Sequence, residues 1–328
     1  MSASELGTVF ITGASGFIGS RLRDALLGRG VDVVALRRPT SPEPRVGRSA
    51  PIDYADPQSL VEVFATEKPS HVFHVAGATK GVTYADFERA NVMPTENLLE
   101  AAKAAGAIPK RFVLMSSLAA WGPSTPAEPH TEDDAPAPIE FYGRSKLAAE
   151  RVLEGSGVPY SIVRPGGVYG PGDVDYFELF KTAERGWNFY FGNRERWMSV
   201  IYVDDLVDLT LAAATDPAAE NRGYFAADGV PVTWQGFQER ICAAADRKVR
   251  DVDVPEVFVG LAAWGGELLS KMDGKARLAN RQKATMGAQK AWTGTIDRAR
   301  DDLGWTPKID QAEGIERALT WYRENGWV

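Results

Sequence analysis

Cysteine and histidine are scarce in this chain. Cys242 stands alone among 328 residues, so there is no disulfide framework and no thiolate metal cluster. Histidine occurs only at His71, His74 and His130, two of them on one predicted strand and the third far along the chain. That spacing makes no ligand set, and no metal site is expected. Excess positive charge is missing too: the net charge is −7, whereas a general nucleic-acid binder carries a basic face. The longest apolar stretch near the C-terminus, Val257–Leu269, is too short and too glycine-rich to span a bilayer. No basic stretch precedes an apolar run at the N-terminus, so no signal peptide is expected. A soluble, cytoplasmic protein acting on a small molecule, with no membrane or nucleic-acid partner, is the plain expectation.

What the chain does have is core material, 44% apolar residues, arranged in a regular alternation. Thr8–Thr12, Val31–Leu36, His71–Ala76, Arg111–Met115 and Tyr160–Arg164 read as strands. Phe17–Leu27, Ser59–Ala65, Tyr84–Ala105 and Tyr142–Leu153 read as the helices between them. Strands joined through helices of this length imply βαβ crossovers. The fold class is therefore α/β, a doubly wound parallel sheet of Rossmann type. From about Gly172 the pattern loosens and aromatics cluster over residues 176–197, as core or as pocket wall. Met198–Val203 and Gly223–Ala227 read as strands, and Trp234–Ala245 and Glu313–Asn325 as helices. Residues 1–172 are expected to bind a dinucleotide and 173–328 to form a smaller α+β substrate lobe, with 198–216 returning to the first part. Pro39–Pro44 and Pro123–Pro138 are proline-rich loops, the second leading into Tyr142.

Thr12-Gly13-Ala14-Ser15-Gly16-Phe17-Ile18-Gly19 lies between the first strand and the first helix. A dinucleotide needs a tight turn there, a close backbone approach and free N–H groups at a helix N-terminus. Gly13 and Gly16 permit the turn and the approach, and Gly19 lets the helix pack on the sheet. The second strand ends in Arg37-Arg38, where an NAD binder usually carries an acid for the ribose 2′-hydroxyl. Guanidinium forks match a 2′-phosphate, so NADP(H) is favoured, with NAD(H) the other possibility.

Tyr142 and Lys146 are four residues apart and share one helical face. A free phenol titrates near ~10 and is useless as a base at neutral pH. A neighbouring ammonium lowers that value, so the phenol can pass a proton to or from a substrate oxygen. YxxxK alone is a weak pattern. Its context strengthens it: Ser116-Ser117 follow the strand Arg111–Met115 at its C-terminal end, where ligands of open α/β sheets collect.

With these motifs in order, the chain resembles the extended short-chain dehydrogenases/reductases of the NAD-dependent epimerase/dehydratase type, along nearly its whole length. The glycine loop is similar to that family's TGxxGFIG, which implies that Ser15, Phe17 and Ile18 join Gly13 and Gly16 around the cofactor. The resemblance implies further cofactor contacts. Asp53 and Tyr54 are to meet adenine, and Val75, Ala76 and Gly77 to run along the cofactor. Asn91 is to open a helix beside it, with Met115 close by, and Pro165, Gly167 and Val168 are to face the nicotinamide. It places Ser117, not Ser116, in the catalytic position, and makes Lys146 a ligand of the nicotinamide ribose. Ile201-Tyr202-Val203-Asp204-Asp205 and Leu303-Gly304-Trp305-Thr306-Pro307 match later motifs of the family. Asp204 and Asp205 are expected to cap a helix starting at Leu206, and Asp133 and Asp134 to cap or solvate their loop. Lys80 is expected at the surface. Helices Tyr84–Ala105 and Tyr142–Leu153 resemble those that pair across a two-fold axis, which implies a homodimer. Sugar-nucleotide epimerases of this kind carry Asn where Gly167 stands, and generally retain NAD. The expected activity is therefore an NADP(H)-dependent interconversion of a secondary alcohol and a ketone or aldehyde on a fairly apolar substrate. The alternative is a nucleotide-sugar epimerase or dehydratase.

Overall fold

Side chains alternate across each strand, and here both faces are apolar. Val9, Ile11, Val33, Phe73, Val113 and Val163 point into one core, while Phe10, Val34, Val72, Phe112, Leu114 and Ile162 point into another. A sheet with two buried faces must carry helices on both. The computed structural model describes residues 6–44, 46–191, 193–254 and 285–328. Val257–Leu269 lies outside the described residues.

The first part of the chain runs β1 (Thr8–Thr12), α1 (Phe17–Gly28), β2 (Asp32–Arg37), β3 (Arg48–Pro51), α2 (Pro57–Glu67) and β4 (His71–His74). It continues through α3 (Tyr84–Phe87), α4 (Met93–Ala104), β5 (Arg111–Met115), α5 (Phe141–Glu154), β6 (Tyr160–Pro165) and β7 (Gly167–Tyr169). Then come α6 (Phe177–Glu184), β8 (Trp187–Phe191), β9 (Trp197–Met198), β10 (Val200–Tyr202), α7 (Val203–Thr215) and β11 (Arg222–Ala226). The remainder is β12 (Val232–Thr233), α8 (Trp234–Ala244), β13 (Arg250–Val254), β14 (Ala291–Trp292), α9 (Asp297–Leu303) and α10 (Gln311–Glu324).

Seven strands form one parallel sheet in the order β11-β6-β5-β4-β1-β2-β3. Order reverses between β1 and β4, and the crevice at their carboxyl ends is where such sheets bind ligands. The smaller sheets pair β7 with β10, β9 with β12 and β14, and β8 with β13. They enclose a third core of Tyr169, Phe180, Tyr202, Phe237, Ile315, Leu319 and Tyr322. Of the aromatics over 176–197, Phe180 and Tyr190 are buried, whereas Trp187 and Phe191 are exposed.

Five differences from the sequence reading have physical causes. Strand β3 went unseen because it is a four-residue edge strand with no buried residue. The helix expected over Tyr84–Ala105 is interrupted at Glu88–Val92 by a wider π-type turn, a distortion that often marks functional positions. The strand expected over Met198–Val203 splits at Ser199, whose carbonyl accepts the Gly167 N–H and whose hydroxyl accepts the Gly294 N–H. The following helix starts at Val203, so Asp204 and Asp205 do not cap it. Asp204 pairs with Arg21 at 2.7 Å, and Asp205 accepts the N–H groups of Lys308 and Ile309. Finally, Gly223–Ala227 belongs to the main sheet, as β11 beside β6. Asp133 pairs with Arg298 and Asp134 accepts the Thr131 N–H.

Behind β5 and β6 lies a fully buried ion pair. Arg164 donates to Glu150 at 2.9 Å, stacks on Trp121 at 3.9 Å from the ring centroid, and shares the carboxylate with the Ser116 hydroxyl. Removing one partner leaves an uncompensated buried charge. Arg164→Met should therefore lower unfolding free energy by ~3–5 kcal/mol in urea titration. Adding Glu150→Leu should recover most of that loss, and additive losses would contradict the pairing.

Candidate active site

The glycine turn after β1 is shaped by backbone crowding. Gly13 has φ +71°, and a Cβ there would lie 2.8 Å from the Ala76 N at the end of β4. A Cβ at Gly19 would overlap the Gly13 carbonyl, so Gly19 packs on the turn itself. Ser15 and Gly16 are exposed, with Phe17 and Ile18 opening α1 behind them. Helix α1 has no side-chain cap, whereas α2 is capped by Asp56 and α5 by Glu140. Its first N–H groups are left for an external acceptor. Thr12 ties the crevice together: its hydroxyl accepts the Ala76 N–H at 3.0 Å and bonds His74 Nδ1 at 2.7 Å. Buried among apolar residues, His74 is pulled down to about 3, with Lys146 adding to the effect.

The residues named for the adenosine end gather at the β2–β3 side. Arg37 donates to Glu43, the Ser41 carbonyl and Ser49, so an acid does reach this strand end, from the proline-rich loop. Arg38 is exposed. Tyr54 is half-buried and bonded to Thr12, with Arg38 close enough to act on it. Asp53 turns its carboxylate to its own loop, accepting the Ala55 N–H.

Ser117, Tyr142 and Lys146 converge at the end of β5. Glu140 accepts the N–H groups of Tyr142 and Gly143, fixing the first turn of α5. The Ser117 hydroxyl is close enough to the Tyr142 phenol to favour its ionised form. Lys146 donates to the Met115 carbonyl at 2.9 Å, and its Nζ is 6.0 Å from the Tyr142 ring centroid. Gly77 allows this: a Cβ there would lie 2.9 Å from both Lys146 Nζ and Asn91 Oδ1. Pro165 ends β6, and Gly167 and Val168 continue as β7 beside β10. The Tyr176 hydroxyl fills the space a side chain at 167 would take. No group of metal-ligating side chains occurs among the described residues.

The electrostatics differ from the expectation drawn from YxxxK. Burial pushes the Tyr142 phenol up to about 12, opposed by the Ser117 hydrogen bond and reinforced by Glu140 and Asp175. Lys146 does not offset this, because its ammonium is turned to Met115. Burial pulls Lys146 down to about 8, against the pull of Glu150.

Asn91 sits in the π-type turn with its side chain directed into the protein. It accepts the Ala78 N–H at 2.7 Å and donates to the Ala78 carbonyl and to Ser145 Oγ. Ser145 in turn donates to the Tyr142 carbonyl. One amide thus joins the loop after β4 to the helix bearing Tyr142 and Lys146. Sequence reasoning missed Glu140, Ser145 and Glu150; only Glu140, an acid directly ahead of a predicted helix, left a readable signal.

Residues 9–225 match the model of the NAD dependent epimerase/dehydratase family. A ceramide reductase of Caulobacter vibrioides is 28% identical over 100% of this chain and 98% of its own. A dTDP-6-deoxy-L-talose 4-dehydrogenase (NAD(P)(+)) of Kitasatospora kifunensis is 34% identical, covering 95% of this chain and 94% of the relative. Among solved structures, a UDP-glucose 4-epimerase of Thermotoga maritima superposes with a TM-score of 0.80 at 23% identity, over 97% of this chain and 99% of that one. That likeness confirms the fold.

Asn91→Leu should break the link between the loop and α5 at a buried position. An unsatisfied buried partner costs about 1–3 kcal/mol. The dissociation constant for NADPH, read by fluorescence titration, should rise about tenfold with little change in circular dichroism. An unchanged constant would contradict the positioning role.

Proposed function

Because the chain belongs to the NAD-dependent epimerase/dehydratase family, and is an NAD(P)-dependent enzyme of the extended short-chain type, we propose that it is an NADP(H)-dependent oxidoreductase. The reaction is the interconversion of a secondary alcohol and a ketone or aldehyde on a fairly apolar small molecule. The observation that carries this reading is the convergence of Ser117, Tyr142 and Lys146 beside the uncapped helix α1. The apolar preference is supported at Gly167, where the Met198 methyl group lies against the position a polar side chain would take. A sugar nucleotide is the competing substrate, favoured by the name of the 34% identical relative.

The glycine turn fits a pyrophosphate, because its N–H groups have no internal cap and its side-chain space is nil. Gly13, Ser15, Gly16, Phe17 and Ile18 would hold it, with Val75, Ala76, Gly77, Met115, Pro165, Gly167 and Val168 lining the nicotinamide end. When bound, the cofactor supplies or accepts the hydride. Ser117 holds the substrate oxygen, Tyr142 gives or takes its proton, and Lys146 keeps positive charge beside that oxygen. Arg38, which no carboxylate approaches among the described residues, would take the 2′-phosphate, and Arg37 would join it on leaving Glu43. Asp53 and Tyr54 would flank adenine, and Asn91 acts through the loop it anchors. Residues 1–172, with α7 and β11, make up the cofactor-binding part, and the smaller sheets the substrate lobe. A cytoplasmic homodimer is part of the proposal, with α4 and α5 packed side by side as its interface.

An NADPH-oxidation screen against ketones, aldehydes and sugar nucleotides should find turnover with an apolar ketone or aldehyde. Tyr142→Phe should reduce kcat by ~10²–10⁴-fold while NADPH affinity changes little. Lys146 is charged below about 8 and neutral above it. Carbonyl reduction should therefore decline as pH rises through that value. Near-wild-type turnover by Tyr142→Phe, or a screen answered only by sugar nucleotides, would overturn the reading. NADPH should also bind more tightly than NADH in fluorescence titration, and equal affinity would contradict the role of Arg38.

A further inference from the structure

The end of β2 carries a cation that is already held by an acid of its own loop. Thr12 and Leu36 stand opposite one another in the β1–β2 pairing, so Arg37 is level with the glycine turn that follows β1. At this strand end a dinucleotide's adenosine ribose is read. Directly after it, Pro39 takes the second position of a turn closed by the Ser41 N–H on the Arg38 carbonyl at 2.9 Å, a position its fixed φ suits. The turn sends the chain back along Arg37. Each nitrogen of that guanidinium then has a partner. Nε donates to Ser49 Oγ at 3.4 Å, one terminal nitrogen to the Ser41 carbonyl at 3.3 Å, and the other to the Glu43 carboxylate.

Glu43 sits on a stiff mount between Pro42 and Pro44. A proline fixes its own φ and confines the residue before it to extended conformations. The acid is thereby presented to Arg37 by backbone restriction. The two partners differ in burial: the Arg37 side chain is 17% exposed and that of Glu43 74%. Water can therefore replace the cation at the acid, while Arg37 keeps its place on the strand. Among the described residues Glu43 is the carboxylate paired with Arg37, and Asp53, the next acid along the chain, accepts the Ala55 N–H. Arg38 beside it is exposed.

A 2′-phosphate and the Glu43 carboxylate require the same guanidinium donors, whereas a ribose 2′-hydroxyl is neutral and makes no such demand. We propose that Glu43 is a specificity-determining residue that competes with the 2′-phosphate of NADP(H) for Arg37. It reduces the preference for NADP(H) that Arg37 and Arg38 create, and it leaves NAD(H) untouched. This rests on the NADP(H) reading above and makes that preference a moderate one, set by a single acid on the proline-rich loop.

Fluorescence titration with NADPH and with NADH reads both affinities without turnover. Glu43 is exposed, so replacing it disturbs no packing. Glu43→Gln should lower the NADPH dissociation constant about two- to fivefold, the range of an exposed ion pair, and leave that for NADH unchanged. Glu43→Asp keeps the charge but loses reach, and should show part of the same gain. Arg37→Gln should weaken NADPH binding, and in that background Glu43→Gln should have no further effect. The aspartate variant decides the matter if Arg37→Gln does not fold. An unchanged NADPH constant in Glu43→Gln would overturn the proposal and leave the NADP(H) reading standing. So would a gain that persists without Arg37 or is absent from Glu43→Asp, either of which marks a general charge effect. Weaker NADH binding in Glu43→Gln would show the carboxylate accepting the ribose 2′-hydroxyl, and would overturn the competition. Equal wild-type affinities, with NADPH gaining in Glu43→Gln, would uphold the competition and remove the NADP(H) preference.

Discussion

The contact between Gly143 and the Ala119 carbonyl sets how closely α5 lies against the end of β5, and a Cβ at position 143 would overlap that carbonyl. At this separation one face of α5 carries Tyr142, Lys146 and Glu150 at i, i+4 and i+8 against β5 and β6. Tyr142 thereby reaches Ser117, Lys146 reaches the Met115 carbonyl, and Glu150 reaches Arg164. Two of these contacts fall at the carboxyl end of β5 and the third on β6. The geometry of the site is fixed by backbone contact before any ligand enters.

Burial then sets the chemistry. A phenol and an ammonium are both costly to ionise in a dry place, so Tyr142 is pushed up and Lys146 pulled down from their ordinary values. The two groups are held at opposite departures, with Glu150 favouring the charge on Lys146 and Ser117 favouring the phenolate. His74, on the neighbouring strand, stays neutral under the same burial.

The sequence made the large pattern readable because the large pattern is periodic. Strands such as Arg111–Met115 are runs of buried apolar residues, and the glycine spacing follows from steric demands that no other residue meets. Elements without periodicity left no trace. The edge strand Arg48–Pro51 buries nothing, and the break at Ser199 depends on the Gly167 and Gly294 backbones, remote in sequence. The π-type turn at Glu88–Val92 is bound up with the bonds of Asn91 to Ala78 and Ser145, which only the folded chain brings together. Glu150 follows Lys146 by one helical turn, but its pairing with Arg164 on β6 is made only in the folded chain and was not legible for the same reason.

The most direct measurement of the account is the fate of the transferred hydrogen. With NADPH deuterated on the transferring face of its C4, reduction of the carbonyl substrate should place one deuterium on the new carbinol carbon. The hydroxyl proton should come from solvent through Tyr142. A product without deuterium at that carbon, formed with no net oxidation of the cofactor, would show a redox-neutral sugar-type isomerisation and contradict the account.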